Sequence, residues 1–368
     1  MLSLIILYEL LFNKATPEAA EVSDLLIYPI KSCGSVSNYN WPVNRYGFEL
    51  DRFWVLAKNG SKISQRECPQ MAKITIKLQV YVNNTASSLT TFTAEKSSSL
   101  KYLKVDENIY FRGGNLVCSA PGMKTDLIIR FGNFKSNQNP KSTKIDVFGS
   151  IIDGIDEGDE ASQWFSEYLQ LSDVRLFVKA DTVRSLPKKH TPKYGFNYQP
   201  QTAFADGFPV LLVSETSLAD LNLKLKSSEK ITSKNKEISV LNFRPNIVLK
   251  EIDKFSLSPF IEETWGVISI GKSNVAHKFF VASRCTRCEI PCNDLETGVI
   301  GKEPTYTMMK DGYRRSDPGK KFQCCFGMNL IPATTNFSLT IGDSLNVLST
   351  MYHDGKIGAW QPVKLTAV

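Results

Sequence analysis

The sequence predicts a β-rich α+β protein with a few helices. Apolar side chains alternate with period two in several segments, most clearly in Ile74–Val82, as expected for strands with one wet face. Asn59-Gly60 separates two short β-prone runs and supplies the two positive-φ positions of a type I′ hairpin turn. Apolar residues follow the spacing of an amphipathic helix in only two segments. Strands therefore dominate the predicted fold.

Strand signals continue through the rest of the chain. Leu25–Ile30 is a short β-rich run in which Pro29 predicts a sheet edge or the end of the strand. The later segments with strand character are Asn242–Leu249, Trp265–Ile270, Lys278–Ala282 and Phe337–Ile341.

The two helices differ in how they are marked. Ala161–Gln170 carries its large apolar side chains on one face and follows an acidic run, which suits a helix N-terminus. The second helix is predicted to begin at Ser214 as N-cap. Its leucines Leu218, Leu221 and Leu225 are spaced for a buried stripe.

A chain of 368 residues is long for one domain and comfortable for two. A boundary is expected within Val183–Gln201, which contains three prolines and a basic run. The predicted organisation is an apolar N-terminal segment with a linker (1–22), a first lobe (23–182), a second lobe (183–350) and a C-terminal tail (351–368).

Composition narrows the function classes. The net charge of +7 favours anionic ligands or acidic partners through long-range attraction. No dense basic stripe with interleaved aromatics is present, so nucleic acid is not expected as a partner. The apolar segment Met1–Phe12 is too short to span a bilayer, which takes about 20 residues. Weak membrane association and a tail with some helix remain equal alternatives for it.

The cysteines point to metal or redox chemistry. Eight are scattered along the chain, too few for a disulfide scaffold, and five fall in its last quarter: Cys285, Cys288, Cys292, Cys324 and Cys325. Arg284 and Arg287 flank the Cys285–Cys288 pair, and cationic neighbours favour the thiolate that binds metals. From the residues alone, a zinc site, an iron–sulfur cluster, a single-thiolate metal centre and buried inert thiols all stay open.

Four segments, in this order, resemble the MOSC-domain proteins. They resemble specifically the eukaryotic amidoxime-reducing components, which have an N-terminal MOSC-associated β domain followed by a MOSC β-barrel. The segments are Ile27–Cys33 (IYPIKSC), Asp51–Trp54 (DRFW), Asn242–Asn246 (NFRPN) and Cys285–Cys288 (CTRC) with Asp294–Gly298 (DLETG). The resemblance runs from about residue 23 to about residue 348.

The resemblance implies a molybdenum–molybdopterin cofactor. In such proteins the second cysteine of the C-x-x-C segment ligates molybdenum, which makes Cys288 the metal ligand and catalytic residue. The implied cofactor-binding residues are Lys31, Ser32, Arg52, Asp206, Arg244, Thr286 and Arg287. Cationic side chains suit the anionic phosphate and pterin, and Arg provides two-point hydrogen bonding that Lys cannot.

The implied reaction is R–NHOH + 2e⁻ + 2H⁺ → R–NH₂ + H₂O on small N-hydroxylated compounds such as amidoximes and hydroxylamines. Family members receive electrons from NADH through a cytochrome b5-type donor and its reductase. No Gly-x-Gly-x-x-Gly fingerprint occurs here, so an external donor is expected. It would dock on a basic loop of Arg184, Lys188, Lys189 and Lys193, although an ordinary solvated loop is the favoured alternative. The implied location is the mitochondrial outer membrane facing the cytosol, or the cytoplasm.

The sequence departs from the family pattern near the expected pocket. Gly207-Phe208 replace a Thr-Ser pair, and Asn329 stands where a cofactor-side Tyr is usual. MOSC domains also end the molybdenum cofactor sulfurases, so a non-enzymatic cofactor carrier or sulfur-transfer accessory is the alternative function. Pyridoxal phosphate, which those sulfurases bind in a separate lobe, is a family-level association only.

Overall fold

The computed structural model describes residues 20–82, 90–93, 111–132, 142–227, 237–252, 257–272, 274–310, 313–314, 323–351 and 353. The predicted membrane-associating segment 1–12 lies outside these residues. So does the C-terminal tail 351–368, apart from Met351 and His353.

Twenty-two strands and three α-helices are formed by the described residues. The strands are β1 Ala20–Ile27, β2 Val36–Ser37, β3 Asn40–Asn44, β4 Gly47–Phe48, β5 Trp54–Lys58, β6 Ser61–Lys62, β7 Thr75–Val82, β8 Thr90–Phe92, β9 Phe111–Ser119, β10 Leu127–Gly132, β11 Ser142–Val147, β12 Ser150–Asp156, β13 Arg175–Lys179, β14 Arg184–Ser185, β15 Gln201–Thr202, β16 Val210–Ser214, β17 Ile247–Lys250, β18 Trp265–Lys272, β19 Val275–Thr286, β20 Cys325–Pro332, β21 Phe337–Thr340 and β22 Ser344–Thr350. The helices are α1 Asp159–Leu169, α2 Glu215–Lys226 and α3 Thr305–Met309.

Two closed sheets organise the molecule. The smaller is a five-stranded barrel, β11-β12-β13-β5-β6. The larger follows the order β17-β16-β20-β19-β18-β22-β1-β2, and pairing of β1 with β17 closes it. A four-stranded sheet, β10-β9-β7-β8, packs beside them. Closure leaves few exposed strand edges, as in other antiparallel barrels. The β-rich α+β prediction is confirmed.

Strand β1 belongs to the larger barrel although it comes first in the described chain. It pairs antiparallel with both β17 and β22. The chain then crosses at Tyr28–Ser32 to the smaller barrel, where the Lys31 amide donates to the Trp54 carbonyl at 2.8 Å. The two barrels are therefore joined at this segment. The division of the chain between residues 182 and 183 stays a prediction.

Most predicted elements form with small changes in their ends. Asn59 and Gly60 both have positive φ (51° and 74°), as the predicted hairpin requires. Ser214 is the N-cap residue of α2, but its hydroxyl makes no capping hydrogen bond. The α1 face buries Trp164 and Phe165 as predicted. Among the described residues, no helix is long and apolar enough to cross a membrane.

The predicted strand Asn242–Leu249 is wrong in its first half. Residues Val240–Phe243 form a 3₁₀ turn because Ser239 and Asn242 exchange side-chain-to-backbone hydrogen bonds in a capping box. Arg244 follows in the left-handed region, and the strand starts only at Ile247. This turn matters because it sets the position of Arg244.

Candidate functional site

A cavity of about 570 Å³ lies where the two barrels meet. That volume is in the range of small-molecule and cofactor sites. All eight side chains singled out in the sequence line it: Lys31, Ser32, Arg52, Asp206, Arg244, Thr286, Arg287 and Cys288. The fold therefore brings together residues from four distant parts of the chain.

Cys288 stands two positions beyond the end of β19 and is partly exposed to the cavity. The guanidinium Nη2 of Arg66 donates to its Sγ at 3.1 Å, and the Ile290 amide lies 3.5 Å from the same sulfur. The hydroxyl of Thr305 donates to the Cys288 carbonyl at 3.3 Å, which ties the loop to α3. The Cys288 sulfur therefore faces the cavity with a guanidinium and a backbone amide directed at it.

The other late cysteines differ from Cys288. Cys285 also lines the cavity and is partly exposed. The remaining three are buried: Cys292, Cys324 and Cys325. Burial raises the pKa of both Cys292 and Cys324, which keeps them as thiols. Within the described ranges, no three His, Cys, Asp or Glu side chains are grouped so as to hold a metal. Cys285 and Cys288 are thus the two late cysteines that line the cavity.

Arg287 lines the cavity but uses its donors elsewhere. Its Nε and Nη2 donate to the Phe326 carbonyl at 2.9 and 2.6 Å, and its Nη1 donates to the Phe243 carbonyl at 3.0 Å. The neighbouring Thr286 pairs with Cys325 across β19 and β20. Arg287 therefore fixes the backbone on both sides of the cavity, next to the cysteine loop.

On the cavity wall, the buried side chain of Lys31 pairs with the more exposed carboxylate of Asp206. The Lys31 ammonium donates to the Phe204 carbonyl at 2.9 Å and forms an ion pair with Asp206. Removal from water lowers the pKa of Lys31 to about 8, with the charge of Asp206 opposing that effect. The Asp206 side chain is 59% exposed, so its carboxylate faces the cavity while it orients Lys31.

Arg52 is held by a carboxylate of its own. Its Nη1 donates to both oxygens of Asp51 at 2.7 and 2.6 Å, and its Nη2 donates to the Arg244 carbonyl at 2.9 Å. The Asp51 side chain is only 1% exposed. Arg52 and Asp51 therefore form an ion pair. It fixes Arg52 at the cavity without removing it from the lining.

Arg244 presents an unpaired donor. Its Nη2 is buried and has no hydrogen-bond partner among the described residues. Its guanidinium carbon lies 4.2 Å from the ring centroid of Tyr28, and that of Arg52 lies 4.4 Å from the same ring. Burial lowers the pKa of Arg244 to about 10, so it stays charged at neutral pH. A buried cationic donor without a partner is costly, which marks the place where an anionic group fits.

Backbone strain is concentrated at the same cavity. Ten described non-glycine residues have positive φ, and four of them line it: Ser32, Arg52, Phe148 and Arg244. Each such conformation costs about 1–3 kcal/mol and persists only where the surroundings impose it. Clustering of this kind is typical of ligand-binding sites.

The residues that depart from the family pattern also line the cavity. A Cβ built at Gly207 would meet no atom within 4 Å, so this wall is open. Phe208 adds an apolar surface, and the Asn329 amide donates to the Ser283 hydroxyl at 3.1 Å.

In the predicted basic loop, the Arg184 side chain turns inward and donates to the carbonyls of residues 147, 205 and 206. The lysines at 188, 189 and 193 are exposed.

Sequence reasoning missed three side chains of the site. Arg66 contacts the Cys288 sulfur, Tyr28 stacks with two arginines, and the half-exposed ring of Phe148 lies 5.3 Å from the Lys31 ammonium. Tyr28 falls inside the segment that carries the resemblance and could have been found there. Arg66 and Phe148 sit in loops with no local chemical signature, so only the fold reveals them.

Comparison with known proteins matches both lobes to described families. The MOSC N-terminal beta barrel domain family matches residues 19–108, and the MOSC domain family matches residues 199–346. Mitochondrial amidoxime reducing component 2 of Bos taurus is 32% identical over 311 residues, which cover 83% of this chain and 75% of that protein. The protein of the same name from Rattus norvegicus is 31% identical over 315 residues, with the same coverage.

A human protein is related to a similar degree. Mitochondrial amidoxime-reducing component 1 of Homo sapiens is 29% identical over 316 residues, covering 83% of this chain and 75% of the relative. The chain belongs to the mitochondrial amidoxime-reducing component family of MOSC-domain proteins.

Proposed function

We propose that this protein is a molybdenum-cofactor-dependent reductase of N-hydroxylated compounds, with Cys288 as the protein ligand of the metal. One observation carries the proposal. A cation-paired thiol, Cys288, faces the same cavity as Lys31, Arg52 and the unpaired Nη2 of Arg244. A sulfur ligand and several cationic side chains in one cavity suit a metal held by an anionic pterin.

The residues present fit such a cofactor. Arg244 would donate to an anionic oxygen through its unpaired Nη2, and Lys31 would neutralise a phosphate from a position fixed by Asp206. Arg52, already paired with Asp51, would contribute a hydrogen bond more than net charge. Ser32 and Thr286 line the cavity with hydroxyl groups that hydrogen-bond pterin edges. Arg287 would act by fixing the backbone beside Cys288.

When bound, the cofactor would supply the two electrons that cleave the N–O bond. The chain would hold the metal at the Cys288 sulfur and orient the substrate against it. Phe148 and Phe208 give the cavity apolar walls that suit an aromatic or aliphatic substrate body. Asp206 is the acidic side chain among the described residues that line the cavity, and it is paired with Lys31 there.

The electron donor would be a cytochrome b5-type protein served by an NADH-dependent reductase. Pro187 and His190 line the cavity, and the exposed lysines at 188, 189 and 193 stand beside them. A basic surface at the cavity rim would steer an acidic donor to the metal. The location that follows from the relatives' names is mitochondrial, with the outer membrane facing the cytosol as the site proposed here, or else the cytoplasm.

Metal analysis with pterin fluorescence after oxidation tests the cofactor. The protein purified from a host that makes the cofactor should contain about one molybdenum and one pterin per chain. It should then reduce benzamidoxime with NADH, cytochrome b5 and its reductase. Zinc or iron in place of molybdenum contradicts the proposal. Molybdenum without reductase activity favours the carrier alternative.

A further inference from the structure

We propose that Arg66 is the positioning residue of Cys288: its guanidinium holds the sulfur in place and withdraws electron density from it. This inference rests on the proposed function, because it concerns Cys288 as a metal ligand. It assigns a role to a side chain in the loop after β6, which contacts the proposed metal ligand on the other barrel.

The contact is direct. Arg66 Nη2 donates to Cys288 Sγ at 3.1 Å, a short distance for a hydrogen bond to sulfur. The Arg66 side chain lines the cavity and is partly buried. Among the described residues, Arg66 forms no ion pair with a carboxylate. Its nearest acidic neighbour in the chain, Glu67, is occupied by the amide and hydroxyl of Ser64 at 2.8 and 2.6 Å. Among the described residues, Arg66 Nη2 therefore makes its hydrogen bond to the sulfur and not to a carboxylate.

The loop that carries Arg66 is fixed by its own hydrogen bonds. Ser64 accepts at its carbonyl from the amides of Glu67 and Cys68, at 3.1 and 2.8 Å. A 3₁₀ turn, Pro69–Lys73, follows immediately. The segment between β6 and this turn thus has a closed geometry, and the direction of the Arg66 side chain is set by it.

Gln65 locks this loop to the cysteine loop of the other barrel. Its amide nitrogen donates to the Ser32 carbonyl at 2.6 Å, and its oxygen accepts from Asn293 at 3.2 Å. Asn293 also donates to the Pro69 carbonyl at 2.9 Å. Both Gln65 and Asn293 are 1% exposed, so these bonds are shielded from water. The distance from Arg66 to Cys288 is consequently built into the joint between the barrels.

Hydrogen bonds to a metal-bound thiolate tune the metal. A donor at the sulfur stabilises the more electron-rich, reduced centre and so raises its reduction potential. A positively charged donor has a larger effect than a neutral one. Arg66 would therefore make the centre easier to reduce by its electron donor.

The test compares Arg66→Gln and Arg66→Lys with Lys62→Gln in the cofactor-loaded protein. Lys62 is a matched control because its ammonium also lies near Phe148, 4.3 Å from the ring centroid, but does not line the cavity. The readouts are molybdenum per chain, the midpoint potential from a redox titration, and the Mo(V) electron paramagnetic resonance spectrum. Unfolding is followed in parallel.

Arg66→Gln is expected to lower the midpoint potential and change the Mo(V) spectrum, with Arg66→Lys recovering part of the shift and Lys62→Gln showing none. A positioning role is also supported if Arg66→Gln loses molybdenum while its melting temperature stays at the wild-type value and Lys62→Gln keeps its molybdenum. An Arg66→Gln protein with full molybdenum, wild-type potential and wild-type spectrum overturns the inference. So does an equal effect in Lys62→Gln. Absence of molybdenum from the wild-type chain would instead refute the proposed function.

Discussion

The two sides of the cavity treat their charges differently. On the side of residues 31–52, each cation already has a carboxylate, since Asp206 holds Lys31 and the buried Asp51 holds Arg52. On the side of residues 244–288, Arg244 Nη2 has no hydrogen-bond partner among the described residues, and the Cys288 sulfur contacts two donors, Arg66 Nη2 and the Ile290 amide. The first side is complete without a ligand, and the second is not.

The difference separates stability from binding. Removing one partner of a buried charge pair destabilises the fold, because the other partner is left as an uncompensated buried ion. A charge without a partner in the protein leaves no such ion behind when it is removed, so its removal should affect binding more than folding. Substitutions on the two sides should consequently differ in what they damage.

Cys288→Ser should have the largest effect on activity and almost none on folding. The hydroxyl is a poor ligand for molybdenum, so benzamidoxime reduction should fall well beyond the ~10–100-fold that loss of a ligand's neighbour costs. Steady-state rates and a thermal melt check both parts. Cys285→Ser is the matched control and should be milder. Equal losses of activity in the two variants would indicate that both cysteines bind a shared zinc ion or iron–sulfur cluster.

Asp51→Asn should have the largest effect on folding. It removes the carboxylate from a guanidinium whose side chain is 13% exposed, and breaking such a buried pair costs about 3–5 kcal/mol of unfolding free energy. Urea denaturation measures it. Asp156→Asn is the control, because the partly exposed Arg175–Asp156 pair should contribute no more than ~1 kcal/mol. Equal losses would remove the distinction between the two sides.

Arg244→Gln should show the opposite pattern. The unfolding free energy should fall by about 0.5–2 kcal/mol, because the substitution removes the stacking of the guanidinium on Tyr28 but breaks no hydrogen bond of Nη2 among the described residues. Cofactor retention should fall ~10- to 100-fold, the value of a hydrogen bond from a charged group. Molybdenum content after dialysis measures cofactor retention, and a denaturation curve measures the unfolding free energy. A large loss of stability with full molybdenum would show that Arg244, like Arg52, serves the fold and not cofactor binding.

Gly207→Ser should have the smallest effect. Its Cβ would meet nothing within 4 Å, so stability should stay within ~0.5 kcal/mol while a hydroxyl is returned to the cavity. A modest gain in cofactor retention is expected. Gly327→Ser is the contrasting variant, because φ is +75° there and the new Cβ would lie 2.6 Å from the Leu212 carbonyl oxygen. Poor folding of Gly207→Ser would show that the open wall is needed as it is.

Local signals predicted the fold class and most elements. Period-two alternation at Ile74–Val82 and the Asn59-Gly60 turn involve neighbouring residues, so the sequence carries them directly. The strand predicted across Arg244 was wrong because a capping box between Ser239 and Asn242 outweighs the β-prone side chains. That competition depends on hydrogen-bond geometry that composition does not reveal.

The candidate site was predictable only in part. The residues drawn from the family resemblance all line one cavity, although their individual roles stay predictions. The pairing of Arg52 with Asp51 was recognisable because the two are adjacent. Arg66 was not, since its contact with Cys288 joins positions 222 apart and depends on how two barrels meet. Long-range contacts of this kind are set by the fold.

Strand β1 has a consequence for synthesis. It is the first described strand to be made, yet its two barrel partners, β17 and β22, follow much later in the chain. Until they emerge, Leu25 and its apolar neighbours, fully buried in the finished protein, would have no barrel to enter. A fragment starting at residue 199 would leave β17 and β22 with open edges, where other chains can add. During synthesis, β1 is therefore exposed to aggregation until β22 has been made and the larger barrel can close.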